Sequence, residues 1–550
     1  MKNKSKIKKL HVAYFSMEFA FNSNIPNYAG GLGVLAADII HSMSDIGIKG
    51  AGISLIYHQS EDPNLQFPLE NYFKKTGVQT EVFIQDRKVV LDIWKKIIKG
   101  EQINVPVYFL STLNKENTVW DRKLTENLYP SDAYTKFCQE LILGVGGVKA
   151  LKAMGYETEI YHMNEGHSAP LIWQLLKENT SEETKDKCVF TTHTPVPAGH
   201  DYFEQKMIKD IHRNLKPAFF GEQKDKEKIG MTELALEFSR ARNSVSEIHR
   251  KTCQKMFPDY HFFNVTNGVY HTRWAGAEIK KILNEVSQDW QKKPELLQNA
   301  AKIIDNEDLI NAHQKEKRKL INWINSDLTS FPIENPQKED LLNEDVLTIG
   351  FARRFVSYKR PELIFRDLKQ LLEIGGGKLQ LVFAGKCAPH DNFCNLTREE
   401  IGDFATLLRG EIKVAIIPDY DLDVAEKMIP GCDIWLNNPL PPREASGTSG
   451  MKAALNGVLN LSIADGWWAE AYQRSPESGW VFGKKEEDWL DNEEENFKHN
   501  QELLKQLKKA IDCYYQNPYQ WTEMMKEAIS LVAHFNTNRV VKEYNMKMWD

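Results

Sequence analysis

The sequence predicts an α/β protein built on parallel sheets and divided into two or more domains. Short β-rich runs alternate with longer helical stretches, the pattern of strands joined by crossover helices. The chain has 550 residues, and single hydrophobic cores stop growing near ~250–300 residues. Several Gly-, Pro- and His-bearing segments directly follow the strand candidates, where parallel sheets bind their ligands.

The elements follow in chain order. Apolar, β-branched runs predict strands at Val12–Phe15, Val105–Leu110, Cys188–Thr192, Val346–Phe351, Leu379–Ala384, Val414–Ile417 and Ile434–Leu436. Helical spacing of apolar residues marks Thr135–Met154, Asp308–Asp327 and Asn500–Tyr515. The turn signal Thr266-Asn267-Gly268 places a boundary between a first domain, 1–266, and a second, 267–535. The charged, Pro-containing stretch Pro332–Asp345 reads as surface loop, and Asn536–Asp550 as a terminal helix.

The formal net charge of −6 argues against a nucleic-acid partner, which requires a basic face. The N-terminal nine residues are basic, but no uninterrupted apolar run follows, so no signal peptide or membrane span is expected and cytoplasm is the default. Seven cysteines are scattered without a CxxC pair. That pattern indicates neither a disulfide framework nor a zinc site and fits a reducing compartment.

Chemistry concentrates in a few segments. In Glu444-Ala445-Ser446-Gly447-Thr448-Ser449-Gly450-Met451-Lys452, a turn of small residues runs into a helix-compatible stretch. Unpaired N–H donors and the helix dipole there favour an anion. Glu444 could accept from sugar hydroxyls, and Lys452 sits where an amine could meet an anionic cofactor. An ordinary helix cap by Ser or Thr is the plainer reading. Phe351 to Pro361 places Arg353, Arg354, Lys359 and Arg360 after an apolar strand. The run is either a solvated face or a phosphate site. Gly30-Gly31-Leu32-Gly33 enters a helix and is either a tight turn or a loop that lets backbone approach an anion. His193 opens a loop stiffened by Pro195 and Pro197. Asn164-Glu165-Gly166-His167 combines amide, carboxylate and imidazole, which suits a polyhydroxylated ligand. His162, Glu165 and His167 lack an HExxH arrangement, and His200-Asp201 lacks further ligands, so no metal is expected.

The lysine segment, extended by Pro442-Arg443 before it and by Asn456 to Asn460 and Asp465 to Glu470 after it, resembles the cofactor site of the α-glucan phosphorylases. The chain is similar to the short bacterial and archaeal members over nearly its whole length. The resemblance implies a GT-B fold: two Rossmann-like domains facing across a cleft, with the terminal helix, 536–550, returning to the first. It implies pyridoxal 5′-phosphate held as a Schiff base on Lys452, with Thr448, Ser449, Tyr420 and Arg353 around the cofactor. Arg354 and Lys359 would take inorganic phosphate and the cofactor phosphate, and His193 the sugar at the cleavage point. Gly30, Gly31 and Leu32 would form the phosphate loop. Glu165, His167, Asn267, Glu444, Ala445, Ser446 and Gly447 would bind sugar.

The implied reaction is reversible phosphorolysis of terminal α-1,4-linked glucose, giving α-glucose 1-phosphate with retention. The partners would be glucan, inorganic phosphate and glucose 1-phosphate, with no nucleic acid and no membrane. A homo-oligomer is left open. Three positions depart from the family pattern: Arg353 stands where well-studied members carry lysine, Asp421 replaces an arginine, and His58-Gln59-Ser60-Glu61-Asp62 replaces an arginine and aromatic pattern. The rival readings are a nucleotide-sugar glucosyltransferase of the glycogen-synthase type and a glucan-binding protein without activity.

Overall fold

In the computed structural model, which describes residues 8–59, 67–213, 215–386, 392–483 and 492–550, the chain forms two units. One takes the residues up to Val245, together with Arg250–Val265 and Thr537–Asp550. The other takes Ser246–His249 and Thr266–Asn536.

The first unit is built on β1 (Lys8–Phe15), β2 (Gly50–Leu55), β3 (Lys74–Ile84), β4 (Arg87–Lys99), β5 (Asn104–Ser111), β6 (Tyr156–Asn164) and β7 (Cys188–Thr191). A small antiparallel ribbon, β8 (Tyr202–Glu204) with β9 (Lys228–Gly230), precedes β10 (Ala241–Ser244) and β11 (Phe263–Asn264). The main sheet runs β11-β10-β7-β6-β1-β2-β5-β4-β3. Pairing is parallel from β11 to β5 and antiparallel through β4 and β3. Central strands are covered on both faces, as the two-residue period requires. Ala13 and Phe15 of β1 enter one apolar cluster, and Val12 and Tyr14 enter the other.

That second cluster also contains Ala36, Ile39, Ile40 and Met43, the inward stripe of the helix Gly31–Ile46. The end of the chain joins the same cluster. Thr537–Tyr544 is α-helix and Asn545–Trp549 a π turn, and they insert Val540, Val541, Tyr544, Met548 and Trp549. The helix expected over Thr135–Met154 is α over Ala133–Leu141 and Gly147–Ala153, with a π turn at Ile142–Gly146 between them. The interruption falls on the glycine-rich run Gly144-Val145-Gly146-Gly147.

The second unit carries β12 (Leu347–Ala352), β13 (Leu379–Ala384), β14 (Lys413–Ile417), β15 (Ile434–Asn437), β16 (Leu459–Ile463) and β17 (Gly479–Phe482). Every pairing is parallel, in the order β14-β13-β12-β15-β16-β17. Counted within the unit, that is the doubly wound order 3-2-1-4-5-6, whose ligand crevice lies where the order reverses. Here the reversal lies between β12 and β15. The predicted helix Asp308–Asp327 is Asn306–Asn325, capped by the Asp305 carboxylate, and Asn500–Tyr515 lies inside Glu493–Gln516. Pro332–Asp345 is irregular apart from a 3₁₀ turn at Lys338–Asp340.

Among the described residues no helix is long and apolar enough to cross a membrane. Cys138, Cys188, Cys253, Cys432 and Cys513 are buried. Cys394 departs from the unpaired pattern read from the sequence and is disulfide-bonded. Scattered spacing could not reveal that pairing, because a bridge depends on Cβ geometry rather than on sequence motif. Of the atypical His58–Asp62 segment, His58 is buried and its imidazole Nε2 lies 3.0 Å from the Arg122 carbonyl, while 60–62 lie outside the described residues.

Candidate active site

The second unit gathers its chemistry at the carboxyl ends of β12, β14, β15 and β16. From the end of β15, the loop reaches Glu444 and then Thr448, the cap position of the helix Ser449–Leu455 that carries Lys452. The plain cap reading fails at Thr448, whose side chain makes no capping hydrogen bond. Lys452 is nearly enclosed, 6% exposed, with Nζ 3.7 Å from the centre of the Trp274 ring. Trp274 is fixed from the same helix: Asn456 donates to its carbonyl at 2.8 Å and accepts from Gly276 N–H at 2.7 Å. No motif drew attention to Trp274, since its proximity to the lysine is tertiary.

The four cations after β12 have separate duties. Arg353 Nη2 donates to Glu444 Oε2 at 3.1 Å, and Lys359 Nζ contacts the same oxygen. Arg354 is exposed. Arg360 is buried and structural, donating to the carbonyls of Asn438 and Pro439 at 3.0 Å each and to Asn496 Oδ1 at 2.8 Å. Arg353 and Lys359 thus share one carboxylate.

Electrostatics there are unbalanced toward positive charge. Burial, reinforced by Arg353, pushes the Lys359 ammonium down to about 8 against the opposing pull of Glu444. Burial alone would raise the Glu444 carboxyl, but Lys359 and Arg353 outweigh it and hold it below the ordinary range. Arg353 Nε and Nη1 are buried without a hydrogen-bond partner among the described residues. Orphaned guanidinium donors are costly unless an anion takes them. Tyr420 follows β14, and Asp421 beside it caps the helix Leu422–Gly431 by accepting from Val424 N–H at 2.8 Å. Asn267 is 4% exposed in the second unit, in the turn that precedes Gly268.

In the first unit, the candidates also stand at strand ends. Glu165 follows β6 with φ of 74°. Its Oε1 accepts from the Thr192 and Thr194 hydroxyls at 3.2 and 3.1 Å and from His193 N–H, so the carboxylate holds the loop after β7. Burial opposes its charge, yet His193 above all, through both its ring and its N–H, keeps the Glu165 carboxyl low. Burial lowers His193 despite Glu165 nearby, which leaves a neutral imidazole at neutral pH. Its Nε2 lies 2.8 Å from Asn164 Oδ1, and Asn164 Nδ2 donates to Ser16 Oγ at 3.1 Å. With Oδ1 left as acceptor, the proton of His193 resides on Nε2.

Glu18, which the sequence reading passed over, accepts from Ala29 and Gly30 N–H at 2.7 and 3.2 Å and from the Tyr129 hydroxyl at 2.9 Å. It thereby sets the loop that leads through Gly31 and Leu32. A side chain at Gly33 would fall 2.8 Å from Glu18 Oε2, whereas one at Gly31 would meet nothing within 4 Å. The glycine loop is thus tightly seated at Gly33 and open at Gly31.

His167 lies 3.4 Å from Asp201, and Glu140 completes a group whose potential ligand atoms all fall within 4.8 Å. The sequence places no further ligand near His200-Asp201. The fold brings one from the helix Ala133–Leu141. Lys136 contacts Asp201 and supplies a cation there. Burial and the Asp201 charge push the Glu140 carboxyl well above its ordinary range.

The family model for carbohydrate phosphorylases matches residues 199–513. The chain is 34% identical to the maltodextrin phosphorylase of Thermococcus litoralis, over 98% of this chain and 70% of that one. It is 31% identical to the glycogen phosphorylase of Aquifex aeolicus, over 98% and 86%, and 31% identical to that of Mycobacterium tuberculosis, over 97% and 70%.

Proposed function

We propose, because the chain belongs to the carbohydrate phosphorylase family, that it cleaves terminal α-1,4-linked glucose from a glucan with inorganic phosphate and releases α-glucose 1-phosphate. The observation that carries this reading is the Arg353–Glu444–Lys359 cluster at the reversal of a doubly wound sheet, with two guanidinium nitrogens buried and without a hydrogen-bond partner among the described residues. Such a group demands an anion. The carboxylate beside it provides what a sugar hydroxyl needs. The maltodextrin and glycogen named in the relatives set the substrate class proposed here. The GT-B fold and the domain limits at 1–266, 267–535 and 536–550 belong to the same proposal, supported by one largely parallel and one wholly parallel α/β sheet.

The residues present fit pyridoxal 5′-phosphate. Lys452 is enclosed against an indole, the Thr448 hydroxyl is not spent on a cap, and Arg353 in the same unit keeps buried donors without a partner among the described residues. Lys452 would hold the aldehyde end, and Thr448, Ser449, Tyr420 and Arg353 the remainder. When bound, the group supplies a phosphate with a second pKa near ~6, suited to proton exchange at neutral pH. Lys359 and Arg353 stabilise anionic phosphate, and Arg354 adds charge from an exposed position. Glu444 accepts from a glucose hydroxyl once an anion shares its two cations. In the first unit, His193 is held neutral with its proton on Nε2, oriented by Asn164. Gly31 and Leu32 offer backbone to substrate, while Glu165, His167 and, in the second unit, Asn267 complete the proposed sugar contacts.

The test is release of glucose 1-phosphate from maltooligosaccharides with and without inorganic phosphate, together with borohydride reduction and peptide mapping. Phosphate-dependent product and a tag on Lys452 are expected. Consumption of a nucleotide sugar without a tag would replace this reading with the synthase one.

A further inference from the structure

The turn Asp465-Gly466-Trp467, at the carboxyl end of β16, is bonded to the loop that carries Glu444. Asp465 uses its two carboxylate oxygens on two different segments. Oδ1 accepts from Gly466 N–H at 2.8 Å and caps the helix Gly466–Arg474, while Oδ2 accepts from Glu444 N–H at 3.0 Å. Trp467 N–H then donates to the Ser446 carbonyl at 2.9 Å. Gly466 has φ of 53°, and a side chain there would lie 2.3 Å from that same Ser446 oxygen. The approach is closed to any other residue. The strand leading into the turn also grips the lysine helix, since Asn460 Nδ2 donates to the Gly450 carbonyl at 3.0 Å.

We infer that Asp465 is a positioning residue for sugar recognition: in its ionised form it fixes the backbone of Glu444, and hence the aim of the Glu444 carboxylate. A helix cap needs one oxygen, so the second oxygen on Glu444 N–H is the part that capping does not explain. This inference rests on the phosphorylase reading above. Asp465 is 3% exposed. Burial, with the Glu444 charge adding to it, pushes its carboxyl up to about 7, against the two backbone N–H bonds and Lys359. The charged or titratable groups that face it are Glu444, Lys359 and Tyr358, with Arg353 behind Glu444. When Asp465 takes a proton, one oxygen becomes a donor and opposes an N–H that it formerly accepted. The Glu444 loop then loses its second tether as the pH falls below about 7.

Two variants separate the roles. Asp465→Ser keeps a capping oxygen for the helix and has none for Glu444. Asp465→Asn keeps the shape and turns an amide toward one N–H. At pH 8 and saturating phosphate, both should raise KM for maltoheptaose by about tenfold or more, the loss of one charge-assisted contact. kcat should fall less. The ratio of wild-type to variant kcat/KM should shrink as the pH is lowered through 7, because protonated wild type resembles the variants. Substrate phosphate titrates equally in all three proteins and cancels from that ratio. If Asp465→Ser retains wild-type KM and a constant ratio across pH, Asp465 is a helix cap only and the inference is overturned. If wild type gives no phosphate-dependent product, the phosphorylase reading fails instead. The affinity of the same three proteins for maltoheptaose, measured calorimetrically, then decides the tether: weaker binding in both variants supports it, and equal affinity in all three overturns it.

Discussion

Arg353 and Arg354 are adjacent, equally charged and equally visible in the sequence, yet the fold gives them different surroundings. Arg353 bonds Glu444 and keeps two buried guanidinium nitrogens without partners among the described residues, while Arg354 is exposed. Arg353→Ala should therefore raise KM for phosphate by about ten- to a hundredfold, as expected for a desolvated charge-assisted contact. Arg354→Ala, exposed and screened, should change it by much less. Phosphate kinetics on both variants check this, and equal losses would refute the ranking. The sequence showed a cationic run after a strand, but not which cation faces inward, because that depends on how the chain leaves β12. Lys452 and Glu444 were legible from local motif. Trp274 was not, since only the fold brings it to Lys452, and Glu18, in the first unit, bonds Ala29 and Gly30 without any motif that marks it. Asp465 stood in the extended lysine segment, but its bond to Glu444 N–H was not legible there. Asp465 also makes a stability prediction. Its carboxyl is raised to about 7 in the fold, against roughly 3.9 in an unfolded chain. Between those values the folded state binds more protons, so this group's contribution to stability declines as the pH rises toward 7. The melting temperature of Asp465→Asn relative to wild type should rise between pH 5 and pH 8. A difference that stays constant would contradict the raised carboxyl.

At the scale of elements, strands were the most readable part of the chain. Each of the seven expected strands is present within a residue or a few of its limits, because buried parallel strands are short apolar runs with little else to become. Helix interiors were less readable where packing overrode the period, as at the π turn Ile142–Gly146. What fixes one element on another was hidden altogether. Asp433, at the start of β15, accepts from Lys317 Nζ at 2.6 Å and from Thr348 N–H of β12 at 2.7 Å, and lies 2.9 Å from His313 Nε2. These side chains are almost wholly buried. They join the helix Asn306–Asn325 to the two strands between which the sheet order reverses. Burial opposes the Asp433 charge, and Lys317 with His313 more than compensates. Lys317→Met should cost roughly 3–5 kcal/mol, the penalty for leaving one member of a buried pair unmatched. Asp433→Asn in the Lys317→Met background should recover part of it by removing the stranded charge. Urea unfolding of the two variants measures both, and a Lys317→Met loss under 1 kcal/mol would show that water reaches the site.

For the molecule as a whole, the end of the chain belongs to the first unit's core although some 270 residues of the second unit precede it. The helical pattern of Asn536–Asp550 was visible in the sequence. Its partners were not, because amphipathic spacing tells that a face is buried but not against what. In the structure Trp549 is 2% exposed, donates through its indole N–H to His162 Nδ1 at 3.1 Å, and its carbonyl accepts from Arg240 Nη2 at 2.5 Å. Tyr544 packs edge-on to the same histidine at 5.0 Å. His162 is part of β6, which ends at Asn164 and is followed by Glu165. Burial pushes the His162 imidazole down to about 3, so it stays neutral and keeps Nδ1 as acceptor throughout the ordinary pH range. Trp549→Ala should therefore cost about 3–5 kcal/mol, the range for truncating a large buried aromatic, and the loss should appear first in the first unit. Hydrogen exchange can locate it: amides of β1 and β6 should lose protection, while those of β12 and β16 keep wild-type rates. Trp549→Phe, which retains most of the apolar area without the N–H, should lose only part of that protection. If exchange in β1 and β6 is unchanged in Trp549→Ala, the terminal segment is an appendage on the surface and not a component of the core.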